Sequence, residues 1–200
     1  MSIDTLILDM GGVVVWTKWE NVTRAWHDLT GLAPDEITKR MVAGGAYPPF
    51  MRGEIDRIEF HRRMCDDLGL EQDAAALFET WSSAIEPNRD IDPLIAKLKG
   101  RVRLAIGSNT DELHNARGLE VQPALGLFDD FVLSFEIGAL KPDAKFYHRA
   151  LTQLGVRAEQ CFFTDDRQNN VDAANAVGIR SVLFESPAQL ESELTEIGIL

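Results

Sequence analysis

Residues 5–15 read Thr5-Leu6-Ile7-Leu8-Asp9-Met10-Gly11-Gly12-Val13-Val14-Val15. The unbroken run Thr5 to Leu8 suits a strand buried on both faces, as in a parallel sheet covered by helices. Gly11-Gly12 then breaks the strand, and Val13 to Val15 reads as extended again. This leaves Asp9 at the carboxyl end of the strand, the edge at which open α/β sheets bind their ligands.

Outward from this run the pattern changes twice. Between Trp16 and about Glu86 strand signals vanish and helical periodicity takes over. Trp19, Val22, Trp26 and Leu29 form one stripe, stopped by Gly31. Pro34-Asp35-Glu36 begins a second helix. Gly44-Gly45 and Pro48-Pro49 mark a loop. Ile55 to Leu68 and Asp73 to Ile85 predict two more helices, the last N-capped by Asp73. After Pro87 strands and helices alternate. Strand runs lie at Val102–Ile106, Phe131–Ser134, Cys161–Thr164 and Ser181–Phe184, with helices between them and a last helix over Pro187–Glu196. The expected fold is therefore α/β, a doubly wound, mostly parallel Rossmann-like sheet. Its core comprises 1–15 and 87–200, with a small helical cap, 16–86, inserted after the first strand.

The bulk numbers narrow the function. With 20 Lys+Arg against 32 Asp+Glu, the formal charge of −12 argues against nucleic acid and anionic membranes as partners. An anionic substrate would need a local positive site. No leader or membrane span is visible, and Cys65 and Cys161 lack metal-ligand spacing, which predicts two free thiols in a cytoplasmic protein.

The polar groups carry the chemistry. Asp9, Ser108-Asn109 and Asp165-Asp166 each follow an apolar strand. One alone could be a helix cap; three, together with Lys141 fixed before Pro142, point to one ligand site. Asp9-Met10-Gly11-Gly12-Val13-Val14, Ser108-Asn109, Lys141-Pro142 and Asp165-Asp166 resemble, in order and spacing, the four motifs of the haloacid-dehalogenase-like hydrolase superfamily. The helical insert resembles that family's small cap. Leu140-Lys141-Pro142-Asp143, Phe163-Thr164-Asp165-Asp166 with Asn170, and Arg52-Gly53-Glu54-Ile55 look most like the branch containing α-glucose-1-phosphate phosphatase.

The resemblance implies a Mg²⁺-dependent phosphatase acting on a small phosphorylated metabolite, as a monomer or homodimer. Asp9 would be the nucleophile, forming an aspartyl-phosphate. Asp9, the Gly11 carbonyl, Asp165 and Asp166 would hold Mg²⁺. Ser108, Asn109, Lys141 and Gly11 would hold the phosphoryl group, and Asn170 would orient the acidic loop. Trp16, Trp19, Tyr47, Phe50 and Arg52 are candidates at the entrance, with an ion pair to Glu54 or Asp56 as the alternative for Arg52. His27, His61, His114 and His148 read as structural or surface residues.

One departure stands out. The family's usual phosphatases carry an acid/base Asp two residues after the nucleophile, where this chain has Gly11. General acid–base help is typically worth about 10²–10⁴-fold. Its loss favours substrates whose leaving group barely needs a proton, such as sugar-1-phosphates, aryl phosphates or acyl phosphates. The competing readings are a 2-haloacid dehalogenase using the same aspartate without metal, and a catalytically weak protein that binds a phosphorylated ligand. The acidic pair at 165–166 disfavours the first, and retention of Asp9 and Lys141 the second.

Overall fold

A computed structural model describes residues 3–200. Its centre is a five-stranded sheet formed by β1 (Thr5–Leu8), β4 (Arg103–Ser108), β5 (Asp130–Leu133), β6 (Cys161–Asp165) and β7 (Arg180–Leu183). The spatial order is β5-β4-β1-β6-β7, and every pairing is parallel. β1 is the middle strand, with Leu8 level with Ile106 on one side and Thr164 on the other. The three strands that lead into Asp9, Ser108-Asn109 and Asp165-Asp166 are therefore neighbours.

Strand alternation sorts the core into two layers. Leu6, Leu8, Leu104, Ile106 and Phe162 face one layer, where they pack with Leu94, Ile95 and Leu98 of α6 (Asp92–Leu98). Leu190 and Leu194 of α11 (Pro187–Glu196) join the same cluster, so the last helix packs on the core. Ile7, Ala105, Val132 and Phe163 face the other layer, against Phe146, Tyr147 and Ala150 of α9 (Ala144–Leu154) and Ala174 of α10 (Gln168–Ala176). Helices on both faces satisfy the doubly wound expectation.

The insert holds α1 (Trp19–Thr30), α2 (Pro34–Ala43), α3 (Tyr47–Met51), α4 (Arg57–Leu68) and α5 (Ala74–Ser82). They share a separate apolar cluster centred on Trp26, Phe60, Met64 and Trp81. The acids before α4 and α5 cap them: Asp56 accepts from the Ile58 and Glu59 amides, and Asp73 from the Ala76 amide. Each such cap is worth about 1 kcal/mol.

Two expectations need correction. Pro48-Pro49, expected to mark a loop together with Gly44-Gly45, instead lie in the helical turn Tyr47–Met51, because proline fits the first turn, where no amide partner is needed. Helix α5 stops at Ser82, not Ile85. Beyond it β3 (Ile85–Pro87) pairs antiparallel with β2 (Val15–Thr17), Val15 opposite Pro87. The chain thus leaves and re-enters the core through one two-stranded neck.

Candidate active site

Backbone pairing sets the level of the site. The Asp9 amide donates to the Thr164 carbonyl at 2.9 Å, which places Asp9 beside the end of β6. One carboxylate oxygen each from Asp9, Asp165 and Asp166 lies within 4.8 Å of the others. Lys141 enters from the loop between α8 (Ser134–Ile137) and α9. Its ammonium sits 2.9 Å from Asp9 Oδ1 and 2.6 Å from Asp165 Oδ2, and donates to the Gly107 carbonyl at 2.7 Å.

The supports of these groups are equally specific. Asn109 Nδ2 donates to the Lys141 carbonyl and Asn109 Oδ1 accepts from the Lys141 amide, both at 2.8 Å. That reciprocal clamp fixes the lysine's backbone to the end of β4. Asn170 Nδ2 donates to both oxygens of Asp165 at 2.9 and 3.0 Å, and the Arg167 amide donates to Oδ1. The Asn170 carbonyl in turn accepts from the Tyr147 hydroxyl at 2.7 Å. Asp165 is wholly buried and held on all sides, whereas Asp166 is exposed at the cavity.

Three carboxylates face one ammonium, and the imbalance marks the titration. Burial drives the Asp9 carboxyl from 3.8 up to about 7, against the pull of Lys141, with Asp165 adding to the rise. Asp166 is also raised, first by burial and then by Asp165. Burial works against the Lys141 charge, but Asp9 and Asp165 outweigh it and hold the ammonium above the ordinary lysine value. A cluster of hard carboxylate oxygens with surplus negative charge is the donor set of a hard divalent cation such as Mg²⁺.

Gly12 explains how Asp166 comes so close. It sits at φ +79°, and a Cβ there would overlap the Asp166 carboxylate. Gly12→Ala would combine left-handed strain, about 1–2 kcal/mol, with displacement of that carboxylate. The expected outcome is at least a tenfold loss of Mg²⁺ affinity, a scale of about 10–100-fold being usual when a ligand loses its support. Calorimetric titration with Mg²⁺ checks it; unchanged affinity would remove Asp166 from the metal set.

Gly11 has a different neighbour. A Cβ built there would lie 2.9 Å from Thr17 Oγ1, so the space a longer side chain would enter is occupied by the neck strand β2.

A cavity of about 720 Å³ opens over this cluster. Asp9, Gly11, Ser108, Asn109, Lys141 and Asp166 all line it, as do Trp16, Trp19 and Tyr47. Two of the expected entrance residues do not. Arg52 forms a fork with Glu54, at 2.6 and 3.0 Å, which is the ion pair expected as its alternative role. Phe50 is buried in the cap, its ring stacked on Phe60 at 4.2 Å. Of the two roles expected for His114, structural or surface, the structure has the first: it is buried, 2.9 Å from Asp111 and stacked on Trp81. Sequence reasoning missed the Asn109 side-chain clamp, Tyr147 behind Asn170, Thr17, and Phe184 and Glu185 after β7 at the cavity rim. Only the last pair had a signal, their place after a strand end.

The geometry matches known proteins in both sequence and shape. The sequence profile of the haloacid dehalogenase-like hydrolases matches residues 3–178. The chain belongs to the haloacid dehalogenase-like hydrolase family. Within it, a sesquiterpene phosphatase of Aspergillus oryzae is 29% identical over 178 residues, covering 86% of this chain and 85% of the relative. A GMP/IMP nucleotidase of Escherichia coli is 25% identical, over 91% and 82%. A family enzyme from Bacteroides thetaiotaomicron, bt-2542, solved with magnesium and inorganic phosphate, superposes with a TM-score of 0.83. It is 20% identical, and the match covers 92% of this chain and 96% of that one. As in other members of this hydrolase family, the core is a mostly parallel sheet with helices on both sides. Among the described residues, no helix is long and apolar enough to cross a membrane.

Proposed function

We propose that this hydrolase is a Mg²⁺-dependent phosphatase of small phosphate monoesters, with Asp9 as the nucleophile. The observation that carries the reading is the meeting of Asp9, Asp165 and Asp166 within 4.8 Å, with the Lys141 ammonium 2.9 Å from Asp9. The relatives' names, a sesquiterpene phosphatase and a purine nucleotidase, share the phosphate chemistry and differ in the organic part.

Asp9, Asp165 and Asp166 would hold Mg²⁺, with the Gly11 carbonyl as a further oxygen ligand. When bound, the ion supplies the positive charge that lets a carboxylate approach an anionic phosphoryl group. Asp9 attacks phosphorus, the ester P–O bond breaks, and the leaving oxygen departs with the bonding pair and takes its proton from water. Water then attacks the aspartyl-phosphate, giving inorganic phosphate and restoring the Asp9 carboxylate. Lys141, Ser108 and the Asn109 amide would stabilise the charge on the phosphoryl oxygens. Asn170 and the Asn109 side chain act behind these groups, as positioning residues for Asp165 and Lys141.

With glycine at position 11, no carboxylate there protonates the departing oxygen. Rates should therefore fall steeply as the leaving group becomes more basic, which favours aryl, acyl and sugar-1-phosphates over simple alkyl esters. The test is phosphate release from a series of substituted phenyl phosphates with Mg²⁺ and with EDTA. Release that needs Mg²⁺ and drops across the series is expected. Release indifferent to EDTA would overturn the metal assignment. A flat series would show that another group donates the proton. Halide release from 2-haloacids, with no phosphate release, would move the assignment to a dehalogenase.

A further inference from the structure

The cavity has two unlike walls. The sheet edge supplies the charged lining: Asp9, Lys141, Asp166, Arg167 and Glu185. Facing it, the neck and cap supply Trp16, Trp19, Met41, Val42, Tyr47 and Met51, with no Asp, Glu, Lys, Arg or His among the cap residues. The polar groups on that side are uncharged: the hydroxyls of Thr17, Thr23, Thr38 and Tyr47 and the indole N–H groups of Trp16 and Trp19. Thr38 Oγ1 already donates to the Pro34 carbonyl at 3.0 Å. His114, where α7 (Glu112–Val121) meets the cap, is also committed, one ring nitrogen facing Asp111 and the other the Trp81 carbonyl. Of the cations beside these residues in sequence, Arg52 pairs with Glu54, Arg40 with Glu36, and the Lys18 ammonium lies 5.9 Å from the centre of the Trp16 ring; none of the three lines the cavity.

A cavity of about 720 Å³ is much larger than a phosphate group, so the organic part of the ester must meet this second wall. A sugar or nucleoside placed there would find no charged side chain on this wall and fewer polar groups than its own hydroxyls and ring nitrogens, and each one left unpaired costs free energy. An aromatic or hydrocarbon group would instead gain from every apolar surface it covers.

We propose that the preferred substrate is the phosphate monoester of an apolar alcohol or phenol, seated with its hydrocarbon part against the cap wall and its phosphate at the acidic sheet edge. This rests on the phosphatase reading and narrows it: among esters with good leaving groups, the wall selects aryl over sugar phosphates.

A series of para-alkylphenyl phosphates, from methyl to hexyl, tests it. Their phenols have nearly one acidity, so only apolar contact changes along the series. The expected result is a rise in kcat/KM of about threefold to fourfold per methylene until the cavity is filled, with glucose-1-phosphate below all of them. Val42→Glu adds a charge to the wall at a half-exposed helix position that tolerates one, and should flatten the rise. A flat series with wild-type protein, or preference for glucose-1-phosphate, would overturn the inference and leave the phosphatase reading standing. Failure of every ester to release phosphate would instead count against the hydrolytic reading. Binding then decides the wall's preference separately, through the fluorescence of Trp16 and Trp19 titrated with methyl- and hexylphosphonate. Tighter binding of the hexyl compound supports the apolar wall, and equal binding overturns it.

Discussion

Asp9→Asn should lower phosphate release from para-nitrophenyl phosphate by roughly 10⁴–10⁶-fold, the range seen when a residue of a covalent catalytic set is removed. The amide oxygen is a poor nucleophile, and the neutral side chain is a weaker partner for both Lys141 and a metal ion. The same variant carries a second, opposite signature. In the metal-free protein the Asp9 carboxyl is raised from 3.8 to about 7, chiefly by burial. A raised carboxyl means the folded state keeps a proton that the unfolded chain releases. Stability is therefore lost as pH rises from about 4 through 7, and above that the fold carries a buried charge. Asparagine has no such charge. Asp9→Asn should be inactive yet melt higher than the wild type in EDTA at pH 8. Thermal melts with and without Mg²⁺ check this. An inactive variant that melts lower in EDTA would point to damage to the fold in place of a lost nucleophile.

The second large effect lies where the cap meets the core. Asp111 is wholly buried and precedes α7, whose Leu113 and His114 amides it accepts, each at 3.0 Å. It also accepts from Trp81 Nε1 at 3.1 Å and pairs with His114 Nδ1 at 2.9 Å. The other ring nitrogen of His114 lies 3.0 Å from the Trp81 carbonyl, so the ring faces an acceptor on each side. Asp111→Ala removes a helix cap and leaves two buried donors without a partner. A loss of about 3–5 kcal/mol is expected, as for breaking a buried pair from one side. Asp111→Asn keeps an oxygen for the amides and should fall between. Burial disfavours the Asp111 charge, but the His114 pair and the hydrogen bonds outweigh it and hold the carboxyl below its usual value. The stability it contributes is present above the ordinary carboxylate pKa and lost as pH falls through the lower folded value. Urea midpoints should differ most between wild type and variant at neutral pH, and converge in acid. A difference under 1 kcal/mol at pH 7 would mean that the cap is held by its apolar contacts alone.

The acidic sheet edge was legible because each of its groups follows a strand in sequence as it does in space. Asp9, Ser108, Asp165 and Asp166 are carried there by local pattern, and the order of β4, β1 and β6 in the sheet makes them meet. Lys141 was legible through Pro142 beside it, but not the Asn109 side chain that clamps its backbone from 32 residues away. The neck was barely visible: of Val13 to Val15, read as extended, only Val15 belongs to β2 while Val13 and Val14 turn, and a three-residue strand at Ile85–Pro87 is too short to show a period against the helix before it. The sequence leaves Arg52 between substrate contact and an ion pair with Glu54 or Asp56, because a motif records residue type and not direction; in the structure it pairs with Glu54. Trp16, Trp19 and Tyr47 are entrance candidates in the sequence and line the cavity, but Thr17 beside Gly11 and Met41, Val42 and Met51 had no signature, since their place depends on how the cap leans over the sheet.

The middle position of β1 also sets a timetable during synthesis. Its two partners begin at Arg103 and Cys161, so the strand leading to Asp9 emerges long before anything can pair with it. At translation rates of roughly 5–20 residues per second, that wait is about five to twenty seconds for the first partner and about eight to thirty for the second. The cap's own cluster, Val22 to Ala84, closes within one continuous stretch and needs no such wait. The nascent chain would thus hold a collapsed helical bundle tethered to an unpaired, apolar Leu6-Ile7-Leu8. During that interval the strand is the segment most in need of a chaperone, and the acidic cluster does not yet exist to capture a metal ion.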